Sequence, residues 1–305
     1  MLIPHHDRND TTFKSEDGKL LLLNPMTGSY LPVRDVEKEL KEVYDNTPRT
    51  ANELAFHQAF KERRAAMRAA KKSNVPPFVP GGVGHGAFYN STFHHDFTNG
   101  SAIAHDTICP ASPGTGVTTD LYLTSTNRTA KGVEALIWYN GNTNPEFWIY
   151  DWARTSPSFV FGLSGSQLSK YLSTKTISGA SRQYIAIQNE TSVLSGNTWI
   201  NIVWLVNHLT QSWDYVYSYT YTATTSSQKD PYDGSWGPII ETFQNSYSNT
   251  NVLGFHTTYL NAANAYNSWT TFDLLRNNQS YMRNDNVGFQ QVFLDPNHTF
   301  GARAY

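Results

Sequence analysis

The sequence predicts an all-β fold, an antiparallel β-sandwich, which follows a helical N-terminal extension. Two observations lead to this prediction: charge falls abruptly near residue 80, and apolar and polar residues alternate after it. Of the first 80 residues 24 are charged, against 24 of the remaining 225. Residues 74–82, rich in proline and glycine, separate the two parts and would end any helix. We therefore divide the chain into an N-terminal segment, residues 1–80, and a domain, residues 81–305.

The N-terminal segment is predicted to be helical over residues 34–72, where Ala, Leu, Glu, Lys and Arg are frequent. Thr50 or Asn52 is a suitable N-cap for a second helix. A basic run from Lys61 to Lys72 lies just before the breaker-rich stretch. Cleavage there would release residues 1–80 as a propeptide. The alternative is an arm that packs on the domain or mediates assembly.

The domain is predicted to be built from about twelve short strands, because apolar residues recur there with a period of two. Turn-forming clusters such as residues 140–145 and 230–234 separate the segments, which is typical of a sandwich or a barrel. One short helix is expected at 164–172. The predicted strands are 87–97, 118–125, 132–139, 146–153, 158–162, 183–189, 199–208, 213–222, 237–244, 252–260, 268–275 and 289–294.

Composition restricts the possible partners. The net charge of −2 argues against a nucleic-acid partner, and no apolar run approaches the roughly 18–20 residues of a membrane span. Cys109 is the only cysteine, so no internal disulfide is possible. We expect no metal and no cofactor. Seven Asn-X-Ser/Thr sites agree with a secreted, extracellular protein, although the first residues do not read as a signal peptide.

Three predicted strands concentrate aromatic residues. One carries Glu146, Trp148, Tyr150 and Trp152 on a single face, and the strand 132–139 places Trp138 beside a glutamate. A carboxylate among amphipathic aromatics is typical of a cleft wall that binds sugars or extended chains. The third strand alternates five aromatics on one predicted face, which is either a stacking platform or a core face: Trp213, Tyr215, Tyr217, Tyr219 and Tyr221.

Two glutamates are candidates for acid–base chemistry. Glutamate is scarce beyond residue 81, and Glu134 and Glu241 both lie inside apolar strands. A charged carboxylate is costly there unless it is paired or faces a wet cleft. Two such groups on one sheet would repel each other and separate their pKa values, which leaves one protonated and one charged. The alternative is that each faces solvent on a one-sided sheet.

Two resemblances bear on these residues. The run Gly132-Val-Glu-Ala-Leu-Ile-Trp138 resembles the nucleophile strand of jelly-roll glucanases in the concanavalin A-like superfamily. Residues 133–135, the strand 147–152, and Trp236-Gly237 shortly before Glu241 resemble glutamic peptidases, including the neprosin type. Both resemblances imply a jelly-roll fold and catalysis by Glu134 and Glu241. The second also implies an N-terminal propeptide, which residues 1–80 would supply.

Three functions are consistent with these residues. The leading hypothesis is a protein that recognises, and possibly hydrolyses, glycans on an aromatic-lined concave sheet. The first alternative is a secreted acid endopeptidase of the glutamic type, and the second is a non-catalytic lectin or assembly protein. In both enzymatic hypotheses, glycan hydrolysis and peptide hydrolysis, the predicted catalytic residues are Glu134 and Glu241. The candidate substrate-binding residues are Trp138, Glu146, Trp148, Tyr150, Trp152 and Trp236.

Overall fold

The structure is a computed structural model in which strands predominate. It describes residues 12–14, 17–24, 29–72, 85–88, 100–109, 118–124, 132–140, 144–177, 180–222, 239–242, 253–262, 265–268, 289–295 and 299–304. The described residues form two sheets, one mixed and one antiparallel, with few helices. This confirms the prediction of a mainly β protein. None of the described helices is long and apolar enough to cross a membrane.

The N-terminal segment contains both predicted helices and, before them, three strands that the sequence pattern did not predict. The second helix begins with a reciprocal cap: the Thr50 amide donates to Glu53 Oε2 (2.5 Å) and the Glu53 amide donates to Thr50 Oγ1 (3.1 Å). Thr50, rather than Asn52, is therefore the cap. The elements are β1 Thr12–Lys14, β2 Leu20–Asn24, β3 Ser29–Asp35, α1 Glu37–Asn46 and α2 Ala51–Lys72.

The domain follows the predicted order of strands, and its described short helix lies where one was expected. Strands at 100–109, 172–177 and 299–304 were not predicted, and residues 89–97 and 269–275 of two predicted strands lie outside the described residues. The elements are β4 His85–Phe88, β5 Gly100–Cys109, β6 Thr118–Thr124, β7 Val133–Asn140, β8 Pro145–Asp151, β9 Ser158–Leu163, α3 Gly165–Ser169, β10 Leu172–Ile177, β11 Ala180–Ser195, β12 Thr198–Asn207, β13 Ser212–Thr222, β14 Ile239–Thr242, β15 Leu253–Ala262, β16 Ala265–Ser268, β17 Phe289–Asp295 and β18 Thr299–Ala304.

The larger sheet, as described, has twelve strands in the order β1-β2-β3-β13-β12-β11-β5-β15-β18-β17, with β10 beside β11 and β16 beside β15. The N-terminal segment therefore extends this sheet through β3, which runs parallel to β13. The smaller sheet has the order β4-β14-β6-β7-β8-β9, and its pairings are antiparallel. Strand β14 thus lies between β4 and β6, although the sequence between β6 and β14 is long.

The two sheets contact each other where β7 meets β11 and β12. One face of β7 and β8 buries apolar side chains such as Ile137 and Ile149, and the larger sheet buries Ile187 and Val203. A buried hydrogen bond links the sheets, since the Tyr217 hydroxyl donates to Asp151 Oδ2 (2.5 Å). The packing is therefore mainly apolar, and this polar contact within it is satisfied by a hydrogen bond, as buried polar groups require.

The predicted single face of five aromatics on β13 is wrong. The pairing of β13 with β12 shifts register between Val203 and Trp204, so that Tyr217 pairs with Val203 and Tyr215 pairs with Trp204. Adjacent residues of β12 point to opposite faces, so this bulge puts Tyr215 and Tyr217 on opposite faces. Tyr215 packs with Trp204 in one cluster, while Tyr217 bonds to the smaller sheet. All five aromatics except Tyr219 are buried.

A buried carboxylate near the β12–β13 turn ties several elements together. Asp214 is fully buried and accepts hydrogen bonds from Tyr171 (3.0 Å), Asn207 (2.9 Å) and Ser212 (2.9 Å). Arg34 of β3 approaches the same carboxylate at 3.8 Å. Three side-chain hydrogen bonds to this one group compensate its burial.

Substitution of Asp214 by Ala is expected to lower the free energy of unfolding by about 3–5 kcal/mol, because buried donors of three side chains lose their acceptor. Arg34→Gln is the matched control. Its guanidinium is 42% exposed, so its loss should cost about 0–1 kcal/mol. Urea unfolding followed by circular dichroism measures both. Equal effects for the two variants would show that the buried bonds contribute nothing beyond the ion pair.

Candidate functional site

Two of the three predicted aromatic strands, β7 and β8, lie side by side in the smaller sheet, and their side chains form one cluster on its outer surface. We call this surface the aromatic face. It turns away from the larger sheet, so β7 and β8 are apolar on both sides. Glycine at 162 supports it, because a Cβ there would overlap the Trp148 ring. The aromatic face consists of Leu136, Trp138, Trp148, Tyr150, Trp152 and Phe159, all buried.

Helix α2 of the N-terminal segment covers the aromatic face. Phe56 stacks on Trp138 with ring centroids 4.0 Å apart and planes 11° apart. Phe60 is completely buried, and its ring lies 4.9 Å from both Tyr150 and Phe159. In this structure helix α2 therefore packs on the aromatic face.

His57 of α2 is enclosed by the same rings. Its imidazole stacks on Phe159 (4.0 Å, 16°) and meets the Trp148 ring edge-on (4.6 Å, 87°). Its buried Nε2 has no hydrogen-bond partner among the described residues. Burial, then the positive charges of Arg49 and Lys61, lower the pKa of His57 to about 4, so the ring is neutral at neutral pH.

Glu146 lies at the end of the aromatic face. The indole Nε1 of Trp148 donates to Glu146 Oε2 at 3.1 Å. Burial raises the pKa of Glu146 to about 7; the Trp148 bond opposes this rise, and the charge of Glu53 on α2 adds to it. A carboxyl group with this pKa exchanges its proton near neutral pH, which is the property required of a general acid.

The strand register aligns further carboxylic residues with Glu146. Across the smaller sheet Glu146 pairs with Trp138, Trp138 with Asp120, and Asp120 with Glu241. Residues paired across antiparallel strands share a face. The backbone thus places three acidic positions and one tryptophan in a single row across β8, β7, β6 and β14, with Asp120 and Glu241 on neighbouring strands. We call this the acidic row.

The predicted partner of Glu241, Glu134, lies elsewhere on the face. Glu134 is completely buried and pairs with Tyr150 and Thr124, four residues along β7 from Trp138. Strand spacings of about 4.8 Å and a rise of about 3.4 Å per residue put the Cα atoms of Glu134 and Glu241 about 16 Å apart. The register brings Glu241 to Asp120 instead, and the role of Glu134 stays a prediction. Trp236 lies outside the described residues.

The sequence pattern did not identify Asp120, nor the two phenylalanines of α2 that cover the aromatic face, Phe56 and Phe60. The signal for Asp120 was present, since it is an acid inside an alternating strand, Thr-Thr-Asp-Leu-Tyr-Leu-Thr. The spacing of Phe56 and Phe60 by four residues also marks one face of a helix. No sequence feature predicts which surface of the domain this face of the helix covers.

No protein-family model matches the chain, and no curated protein matches it. Among solved structures, scytalido-glutamic peptidase with a peptide-based transition-state analogue matches at TM-score 0.33 and 11% identity, over 74% of this chain and 99% of the peptidase. SCP-B, a member of the eqolisin family of peptidases, matches with the same values. Tailspike protein 2 of Escherichia coli O157:H7 bacteriophage CAB120 matches at TM-score 0.26 and 10% identity, over 61% of this chain and 22% of the tailspike. Because these scores are low, the function is inferred below from the residues of this chain.

Substitution of Phe60 by Ala is expected to weaken the docking of α2 by about 3–5 kcal/mol, since it opens a cavity among the rings of the aromatic face. Leu54→Ala is the matched control on the same helix. Its side chain is 55% exposed, so its loss should change docking by less than about 0.5 kcal/mol. Amide hydrogen exchange of residues 51–62 measures both. Equal exchange in the two variants would contradict the packing of α2 described above.

Proposed function

We propose that the chain is the precursor of a secreted, acid-acting endopeptidase with a jelly-roll fold, whose substrate polypeptide binds along the aromatic face. The observation that carries the proposal is the acidic row, which crosses the aromatic face at Trp138. It combines the carboxyl groups that hydrolysis requires with apolar surface for substrate side chains.

The packing of helix α2 on the aromatic face favours a polypeptide as the substrate of this site. Helix α2 places aromatic side chains of the chain itself on Trp138 and Tyr150, so the face accepts apolar side chains of a polypeptide. An endopeptidase also benefits from synthesis with its site covered, because an open site would cleave its own chain. Under this proposal residues 1–80 are the cover, and the basic run that ends α2 is where they are severed.

Asp120 and Glu241 are the proposed catalytic pair, since neighbouring strands put their Cα atoms about 4.5–5.5 Å apart. Like charges at directly paired positions of neighbouring strands repel, so under this proposal the pair holds one proton between its two carboxyl groups. The ionised member takes a proton from water as the water oxygen attacks the peptide carbonyl carbon. The protonated member donates a hydrogen bond to the carbonyl oxygen. It then gives its proton to the departing amine.

A glycan substrate is the second candidate, and the flat stacking of Phe56 on Trp138 (4.0 Å, 11°) favours it. A sugar ring presents a flat apolar face to tryptophan in the same way. The same acidic row would then supply the acid and the base of glycoside hydrolysis, which need carboxyl groups about 5–9.5 Å apart. The non-catalytic lectin is the outcome if the face binds a ligand and the acidic row has no activity.

The test compares the intact chain with a chain that is cut after folding, at a protease site inserted within residues 73–80, and then diluted until the N-terminal segment dissociates. Fluorescent casein and soluble polysaccharides are offered to both from pH 3 to pH 7. We expect peptide hydrolysis by the cut chain, and a loss of at least about 100-fold in Asp120→Asn and in Glu241→Gln. Glu134→Gln is the matched control and should retain activity within about tenfold. Its complete inactivation would restore the Glu134/Glu241 pair.

Release of reducing sugar without peptide hydrolysis would replace the peptidase by a glycosidase. If neither substrate is cleaved, the enzymatic proposal is wrong, and retention of the cut chain on an immobilised polysaccharide would then identify a lectin.

A further inference from the structure

The N-terminal segment consists of two parts that are bound to the domain in different ways. The first part contains β2 and β3, which belong to the larger sheet. Strand β3 pairs with β13 along residues 33–35, and Leu22 and Leu31 are buried in one cluster with Trp213. Removal of these strands would expose this cluster to water, which is unfavourable for apolar side chains. Strands β2 and β3 are therefore constituents of the sheet.

Helix α1 continues this attachment. The Val36 amide donates to the Tyr215 carbonyl (3.3 Å), and the Glu37 carboxylate accepts a hydrogen bond from the Ser218 amide (2.6 Å). Leu40, one turn further along α1, is buried. The start of α1 is thus fixed to β13 by backbone and side-chain hydrogen bonds, in addition to the pairing of β3.

Helix α2, the second part, is bound to the smaller sheet through aromatic rings. Phe56 stacks on Trp138, and Phe60 packs on Tyr150 and Phe159. The backbone hydrogen bonds of a helix are internal, so α2 does not extend the sheet that it covers, as β3 does. Because most of the stability of such a helix comes from packing, α2 is a separate element once its connection to α1 is broken.

The boundary between the two parts lies at the peptide bond between Arg49 and Thr50. The Arg49 guanidinium lies on the Tyr44 ring at 3.7 Å and donates to the Tyr44 carbonyl, which holds Arg49 to α1. Thr50 bonds in the other direction, with Glu53 through its reciprocal cap and with the Leu54 amide through its carbonyl (3.0 Å). The two residues that share this bond are therefore fixed to different parts.

We propose that the bond between Arg49 and Thr50 is a second processing site, where cleavage after a basic residue lets α2 leave the aromatic face while residues 1–49 stay bound to the domain as a separate chain. Water adds across the bond and yields a carboxylate on Arg49 and an amine on Thr50. Together with a cut in the basic run that ends α2, this cut excises the helix. As regulation of the proposed site, the inference rests on the proposed function.

The connection between α1 and α2 is accessible to a protease. Residues 47–50 lie outside helix and strand, and three of the four are exposed; exposed loops of this kind are the preferred sites of nicking. The contact of Arg49 with Tyr44 is only partly buried, and such cation–π contacts are weak, so the side chain can leave it. Lys38 and Lys41, in contrast, lie within α1. One protease of basic specificity therefore serves both cuts.

The test is brief digestion of the folded full-length chain with trypsin, which cuts after Arg and Lys. Gel filtration without denaturant and measurement of intact masses follow. We expect the eluted domain to retain a fragment that ends at Arg49 and to lose a peptide that begins at Thr50. Residues 1–49 should dissociate at least about 100-fold more slowly than this peptide. An Arg49–Thr50 bond that resists trypsin until the domain is degraded overturns the inference, and so does joint loss of residues 1–49 and α2.

Variants of Arg49 identify the bond. Arg49→Gln should keep α2 joined to residues 1–49, and so in the eluted domain, even where the basic run is cut. Arg49→Lys should restore the release, because trypsin also cuts after Lys. Lys38→Gln removes an exposed basic residue from α1 and is the matched control; it should behave as wild type. Release of α2 from Arg49→Gln would show that another bond is cut and would reject the assignment.

Two core variants test whether the parts are bound independently. Phe60→Ala should speed the loss of the α2 peptide by at least about tenfold and leave the retention of residues 1–49 unchanged. Leu31→Ala should have the opposite effect, because Leu31 is buried in the larger sheet. Equal loosening of both parts by either variant would show that the segment is one unit, contrary to the inference.

These readouts need no substrate, so they separate the inference from the proposed function. Loss of α2 with retention of residues 1–49 in a chain without hydrolytic activity would reject the hydrolase alone. Hydrolysis that begins only after residues 1–49 have also been removed would reject the inference alone.

Discussion

The structure depends on the fact that the β7–β8 pair is apolar on both faces. Ile137 and Ile149 point to one side, and Trp138 and Trp148 point to the other; all four are buried. Fully burying one such side chain is worth about 1.5–3 kcal/mol, so neither face can be left to water without a large loss. The larger sheet covers the first face. Helix α2 covers the second, which makes the N-terminal segment part of the core in this state.

Two buried carboxyl groups within this packing form satisfied hydrogen-bonded clusters. Asp151 accepts bonds from Tyr217 (2.5 Å) and from the Ala153 amide (2.8 Å), and Asp214 is bonded by three side chains. These clusters join elements that are distant in sequence. Because hydrogen bonds are directional, they fix the relative position of these elements more specifically than apolar contacts do. Glu146 is different, because its single described bond from Trp148 leaves the carboxyl free to change its protonation. Asp151 and Asp214 therefore stabilise the fold, whereas Glu146 is suited to proton transfer.

The period of two predicted β7, β8, β12 and β13 from sequence because each strand alternates long side chains over many residues. It did not predict β2, since Leu20–Leu23 is a uniform apolar run that a helix and a strand share equally. The bulge in β13 could not be predicted either, because it is defined by the pairing of β13 with β12. The acidic row needed the strand order: that β14 lies beside β6 cannot be read from two segments so far apart in the chain. Composition identified Glu241 as unusual, and only pairing showed that Asp120 is its neighbour.

The N-terminal segment is attached to both sheets of the domain. Strand β3 extends the larger sheet beside β13, where the Val36 amide donates to the Tyr215 carbonyl (3.3 Å) and the Glu37 carboxylate accepts from the Ser218 amide (2.6 Å). Helix α2 lies on the smaller sheet. A cut after α2 would therefore not free the segment, but would turn a tethered contact of high effective concentration into a bimolecular one. Uncovering of the face would then depend on dilution, and a freshly cut protein at high concentration would remain a two-chain complex.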